Sequence, residues 1–148
     1  MSLKEARIAV TLVTTLATCA VYFFIVLGMQ ADGRFDGEDA TRLIAQAILI
    51  LIGAQILATI IAQIVATIGH AIATRGEEPD ITDERDKLIE LRALRVSFII
   101  TGVGIVGALV AMATGSTVFA TFQIIIASMT VGDLVGNVTR LRLYRRGF

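Results

Sequence analysis

The chain has 148 residues, a formal net charge of zero, one Pro, one Cys and no Trp; 55% of its residues are apolar and 18% charged. The charges are bunched, and the long uncharged runs between them leave no solvent-facing stripe, which argues against a water-soluble bundle. The runs also lack the period-two alternation of a membrane barrel strand, and an internal disulfide needs a second cysteine.

A hydrocarbon core of about 30 Å takes about 20 apolar helical residues. Lys4 and Arg7 precede the first such run, residues 8–29, whose Thr11, Thr15, Thr18 and Tyr22 share one face. Leu16-Ala17-Thr18-Cys19 looks like a lipoprotein cleavage site, but apolar sequence continues from Ala20 to Leu27. A processed signal gives way to polar sequence at that point, so Cys19 is read as a packed, reduced thiol. An acidic loop, residues 31–41, leads to the second run, residues 43–66, whose helix is expected to continue to about residue 73. Gln55, Thr59, Gln63, Thr67, His70 and Thr74 form its polar stripe, beside Ala54, Ala58, Ala62 and Ala66.

The central segment is different in kind. Pro79 ends whatever precedes it, and Asp80 or Thr82 is placed to cap a new helix over residues 82–95 that runs into the third span. Asp83, Glu84 and Asp86 sit at its positive end, where acidic charge is favoured, and Asp83 and Lys87 have ion-pair spacing. Leu88, Leu91 and Leu94 fall on one face, and Arg92 and Arg95 form a basic collar at the membrane. The acidic run from Glu77 to Asp86 lacks the alternating oxygen ligands of a calcium loop and is read as a solvated face; no metal or cofactor is expected.

The third span covers residues 96–113, and Thr114-Gly115-Ser116 separates it from the fourth, residues 118–138. Ser97, Thr101, Gly104 and Ala108 lie in one narrow stripe, and Gly132 and Gly136 are one turn apart in the fourth span. Small residues of this kind let membrane helices approach closely. After the last span come Arg140, Arg142, Arg145 and Arg146, read as a stop-transfer signal and a contact for anionic lipid, not for nucleic acid.

These elements predict an all-α integral membrane protein, a four-transmembrane-helix bundle forming a single membrane domain. Residues 62–68 align in kind with residues 132–138, which leaves open two parallel helical-hairpin repeats. The excess of Lys and Arg near the amino terminus, in the central segment and after the fourth span places all three on the cytoplasmic side of the cell membrane.

Asp133 is the only carboxylate inside a predicted span, and an acid there marks a functional site by default. Asn137 and Arg140 share its helical face, and the repeat alignment sets Gln63, Thr67 and His70 opposite. Such a cluster serves either as a proton- or cation-responsive pocket or as a structural hydrogen-bond network.

Asp83-Glu84-Arg85-Asp86, followed by Leu88-Ile89-Glu90 and Arg92 just before a span, resembles small multi-pass membrane proteins of bacteria and archaea that carry an Asp-Glu-Arg run ahead of a transmembrane helix. The resemblance implies a multi-pass membrane protein in which this motif is a shared feature, and it implies no activity. Size and span count also resemble small multidrug transporters, which use a glutamate in the first span; residues 8–29 contain no acid. The reading expected from these residues is a non-enzymatic, self-associating scaffold or accessory subunit, whose charged cytoplasmic helix meets a membrane or cytoplasmic protein partner or the lipid surface. A small proton- or cation-coupled transporter or channel that uses the cluster of Asp133, Asn137, Arg140 and His70 is the alternative.

Overall fold

The computed structural model describes residues 3–74 and 83–146. Its elements are α1 (Leu3–Ala31), α2 (Ala40–Thr74), α3 (Glu84–Ala113) and α4 (Val118–Arg146). Each helix is long and apolar enough to cross a membrane. A backbone surrounded by hydrocarbon must satisfy its polar groups internally, and an unbroken helix does so. All four helices extend past the apolar runs that nucleate them.

The breaks are built from local chemistry. α1 ends with Gly33 at φ +72°, with the Arg34 amide donating to the Met29 carbonyl at 3.1 Å and the Gly33 amide to the Gln30 carbonyl at 3.0 Å. This nested pair is the Schellman ending that a left-handed glycine permits. α3 ends in the same way at Gly115, with the Ser116 amide on Ala111 and the Gly115 amide on Met112. Thr117 then caps α4, its hydroxyl accepting from the Ala120 amide at 3.2 Å.

α3 begins inside the charged motif. Asp80 and Thr82, the caps expected from the sequence, lie outside the described residues, and Asp83 occupies the cap position. Its carboxylate accepts from the Glu84 amide at 2.6 Å, while Asp86 reaches back to the Asp83 amide at 3.0 Å. Turned to the helix end, Asp83 makes no ion pair with Lys87 among the described residues. From there α3 runs without interruption to Ala113, so the charged segment and the third apolar run form one continuous helix.

The helices pack in the order α2, α1, α4, α3, with α2 also touching α4. Among the described residues no Cα of α3 comes within 8 Å of α1 or α2, so α3 has one close helical neighbour. That contact is tight because it is made of small residues. A methyl group added at Gly104 would collide with the Ser128 side chain, and one at Gly132 would collide with the Thr101 hydroxyl and meet the Ser97 carbonyl at 2.9 Å. At Gly136 it would meet Ser97 Cβ at 3.1 Å and the Ala93 carbonyl at 3.2 Å. Ala108 is fully buried. Gly102, one residue off the stripe, has nothing within 4 Å of an added methyl.

The opposite end is closed by side chains. Tyr22, Val26, Phe35, Ile44 and Ile126 form one buried cluster, and Phe35 stacks on Phe119 with ring centroids 4.9 Å apart. The acidic loop between α1 and α2 therefore folds an aromatic residue back over the bundle. Below it an apolar cavity of about 450 Å³ lies between α1 and α2, with Val21, Ile25, Leu43, Ile50 and Leu51 in its wall.

Candidate functional site

Two polar constellations stand out, one within the spans and one where α1, α3 and α4 meet beyond them. The first is a ladder along the seam of α1 and α2. Gln63 donates to the Thr11 hydroxyl at 2.7 Å and to the Arg7 carbonyl at 3.1 Å. Arg7 reaches Thr67 at 3.4 Å. Two to three turns further along, Gln55 donates to Thr15 at 3.2 Å and Thr59 at 3.3 Å, and accepts from Thr18. α1 supplies a threonine nearly every turn and α2 a glutamine every second turn, so the two stripes interlock. Each interhelical hydrogen bond of this kind is worth about 0.6 kcal/mol on average in a bilayer.

Asp133 joins the ladder from α4. Thr15 donates to Asp133 Oδ2 at 3.3 Å, and Asn137, one turn along α4, donates to Oδ1 at 3.1 Å and to the Asp133 carbonyl at 3.0 Å. Gln55, Thr15 and Asp133 thus form a directional relay across three helices. Asn137 is buried, whereas Asp133 remains exposed despite its two donors. Close by, the thiol of Cys19 and the hydroxyl of Thr130 are 3.3 Å apart, a further link between α1 and α4.

The six residues grouped by helical face and by the repeat alignment are therefore distributed over four places. Asp133 and Asn137 are together. Gln63 and Thr67 are spent on α1. His70 borders a separate hollow with Ala6, Ala9 and Val10 of α1. Arg140 lies in the second constellation and makes no ion pair with Asp133 among the described residues.

That second constellation surrounds a cavity of about 210 Å³, bordered by Lys4, Arg7 and Ile8 of α1, Asp86 and Glu90 of α3, and Arg140 and Tyr144 of α4. Lys4 Nζ is 2.5 Å from Asp86 Oδ2, and Arg145 Nε is 3.8 Å from Glu5 Oε1 nearby. These groups lie beyond the apolar runs. The Lys4 ammonium and the Asp83 amide hold the Asp86 carboxyl below its ordinary range. Desolvation, and then the hydrogen bond to Asp86, push the Tyr144 phenol up to about 12. The motif Asp83-Glu84-Arg85-Asp86 divides accordingly: Asp83 and Asp86 fasten the start of α3, while Glu84 and Arg85 are exposed, as are Glu90 and Arg92.

Sequence reasoning missed Lys4 and Tyr144 as members of a site and missed Thr15 as the partner of Asp133. Tyr144 stands one turn after Arg140, which puts it on the same face, and Thr15 belongs to the threonine face of α1; the signal for both was spacing. No family model, curated protein or solved structure matches this chain.

Proposed function

We propose that the protein is a non-enzymatic, self-associating membrane scaffold or accessory subunit, with its amino terminus, central segment and carboxyl terminus at the cytoplasmic face of the cell membrane. The observation that carries this reading is how the in-span polar groups are used. Gln55, Gln63, Thr11, Thr15 and Thr18 are consumed as bonds between adjacent helices, a use that holds a framework in register. α3 supports the same reading, since it carries Leu88, Leu91 and Leu94 exposed on a helix that, among the described residues, packs its backbone closely against α4 alone. Such a face suits a second copy or another membrane or cytoplasmic protein. The basic residues that follow α4's apolar run suit anionic lipid.

One observation favours a second reading. An exposed carboxylate within a span costs about 2.5–3.5 kcal/mol against hydrocarbon, so Asp133 must be met by water, an ion or another chain, and a proton- or cation-coupled transporter would use it. The test is flux into liposomes driven by a pH gradient, for the wild type and for Asp133→Asn, with melting temperature and native mass in detergent recorded in parallel. The scaffold reading expects multimers and equal, background-level flux in both proteins. A well-folded Asp133→Asn that has lost a wild-type flux would sink it and establish the transporter.

A further inference from the structure

The cavity of about 210 Å³ is smaller than the roughly 300–1,000 Å³ of pockets for drug-sized ligands, so it suits a single polar group. Three cations, Lys4, Arg7 and Arg140, and two carboxylates, Asp86 and Glu90, border it. Asp86 is engaged by Lys4, and Arg7 contacts Thr67. Arg140 differs from both: its Nε is buried with no hydrogen-bond partner, and it forms no ion pair among the described residues. A buried, unsatisfied charged donor is costly, and a guanidinium fork matches the oxygens of a phosphate in a bidentate fashion. The cavity also sits at the right depth. Arg7 immediately precedes the first apolar run and Arg140 stands two residues beyond the last, which is where phospholipid headgroups lie.

We propose that this cavity is a phosphate site in which Arg140 is the principal donor and the phosphate oxygens satisfy its buried Nε. A membrane phospholipid and free phosphate both present this chemistry. The site sharpens the reading that the basic end of α4 meets anionic lipid, and rests on it only for the lipid source.

The experiment is native mass spectrometry of the full chain in detergent, titrated with phosphatidylglycerol or with zwitterionic phosphatidylcholine, alongside melting curves with and without inorganic phosphate. The proteins are the wild type, Arg140→Gln, Arg140→Lys and Arg142→Gln; Arg142 is exposed on the same helix and borders no part of the cavity. One phosphatidylglycerol per chain should be retained by the wild type and Arg142→Gln. Affinity should fall about tenfold in Arg140→Gln, as expected for loss of a charge-assisted hydrogen bond, and by less in Arg140→Lys, which keeps the charge without the fork. Phosphatidylcholine should compete poorly. If inorganic phosphate raises the melting temperature of the wild type but not of Arg140→Gln, while lipid retention is equal, the site stands and its source is free phosphate. Equal losses in Arg140→Gln and Arg142→Gln overturn the site and leave a diffuse attraction of the basic tail. If no variant differs from the wild type with either probe, the site and the tail reading both fall.

Discussion

A single hydrogen atom decides how α3 meets α4. At Gly104 the space a methyl would need is already taken by Ser128, and at Gly132 by the Thr101 hydroxyl. Ser128 Cβ at Gly104 and the Ser97 backbone carbonyl at Gly132 cannot rotate away, so relief requires the helices to separate. Overpacking of this sort costs about 1–3 kcal/mol in well-packed cores. Gly104→Leu is therefore expected to lower the melting temperature in detergent by several degrees, and Gly102→Leu to leave it almost unchanged, because an added group at Gly102 meets open space. Equal tolerance of the two substitutions, read by scanning fluorimetry under the same conditions, would mean that the α3–α4 contact is not made by this stripe.

At the scale of the element, α3 is a helix long and apolar enough to cross a membrane, and its first turn is an electrostatic clamp. Asp86 closes the capping box and pairs with Lys4 of α1, so one carboxylate ends a helix and ties two helices together. Its pKa is depressed, so its stabilising contribution is complete above the ordinary carboxylate range and is lost as pH falls through the lowered folded value. Tyr144 has the opposite sign: its contribution is complete below the ordinary phenol value and fades as pH rises toward about 12. Between these limits the clamp is insensitive to pH. Asp86→Asn keeps a capping oxygen but loses the charge, and is expected to cost on the order of 1 kcal/mol at neutral pH. The gap between wild type and variant should begin to close as pH falls below the ordinary carboxylate range, where the unfolded chain takes up the proton first, and be lost as pH passes through the lowered folded value. A gap that stays constant from pH 7 to pH 3 would show that the cap, and not the charge, supplies the effect.

For the whole molecule, the parts legible in the sequence were those that hydrocarbon dictates. Four apolar runs had to be helices, Thr114-Gly115-Ser116 had to separate two of them, and the small residues of α3 and α4 had to lie on narrow faces. Spacing says which residues share a face but not which helix that face meets. Thr15 and Asp133 are 118 positions apart, and no local pattern links them; nor does any pattern bring Lys4 to Asp86. The repeat alignment set Gln63 and Thr67 opposite Asp133, yet amide and hydroxyl groups bond the nearest suitable partner, which is α1: Thr11 for Gln63 and the Arg7 guanidinium for Thr67. Orientation is the one global property that charge alone suggests. The cations flank the end of the bundle where α1 begins and α4 ends, and in the proposed topology the translocation bias of Lys and Arg would put that end in the cytoplasm. The fold constrains the test, because α1 and α3 start on one side and the α1–α2 loop lies on the other. Single cysteines at Gly37, Gly76 and Gly147 in a Cys19→Ser background should therefore separate into two classes with a membrane-impermeant thiol reagent added to intact cells. Gly37→Cys should label, and Gly76→Cys and Gly147→Cys should label only after the membrane is permeabilised. The reverse pattern would invert the protein in the membrane and place the cavity around Arg140 at the outer surface. Labelling of Gly37→Cys and Gly76→Cys together in intact cells would remove the second crossing.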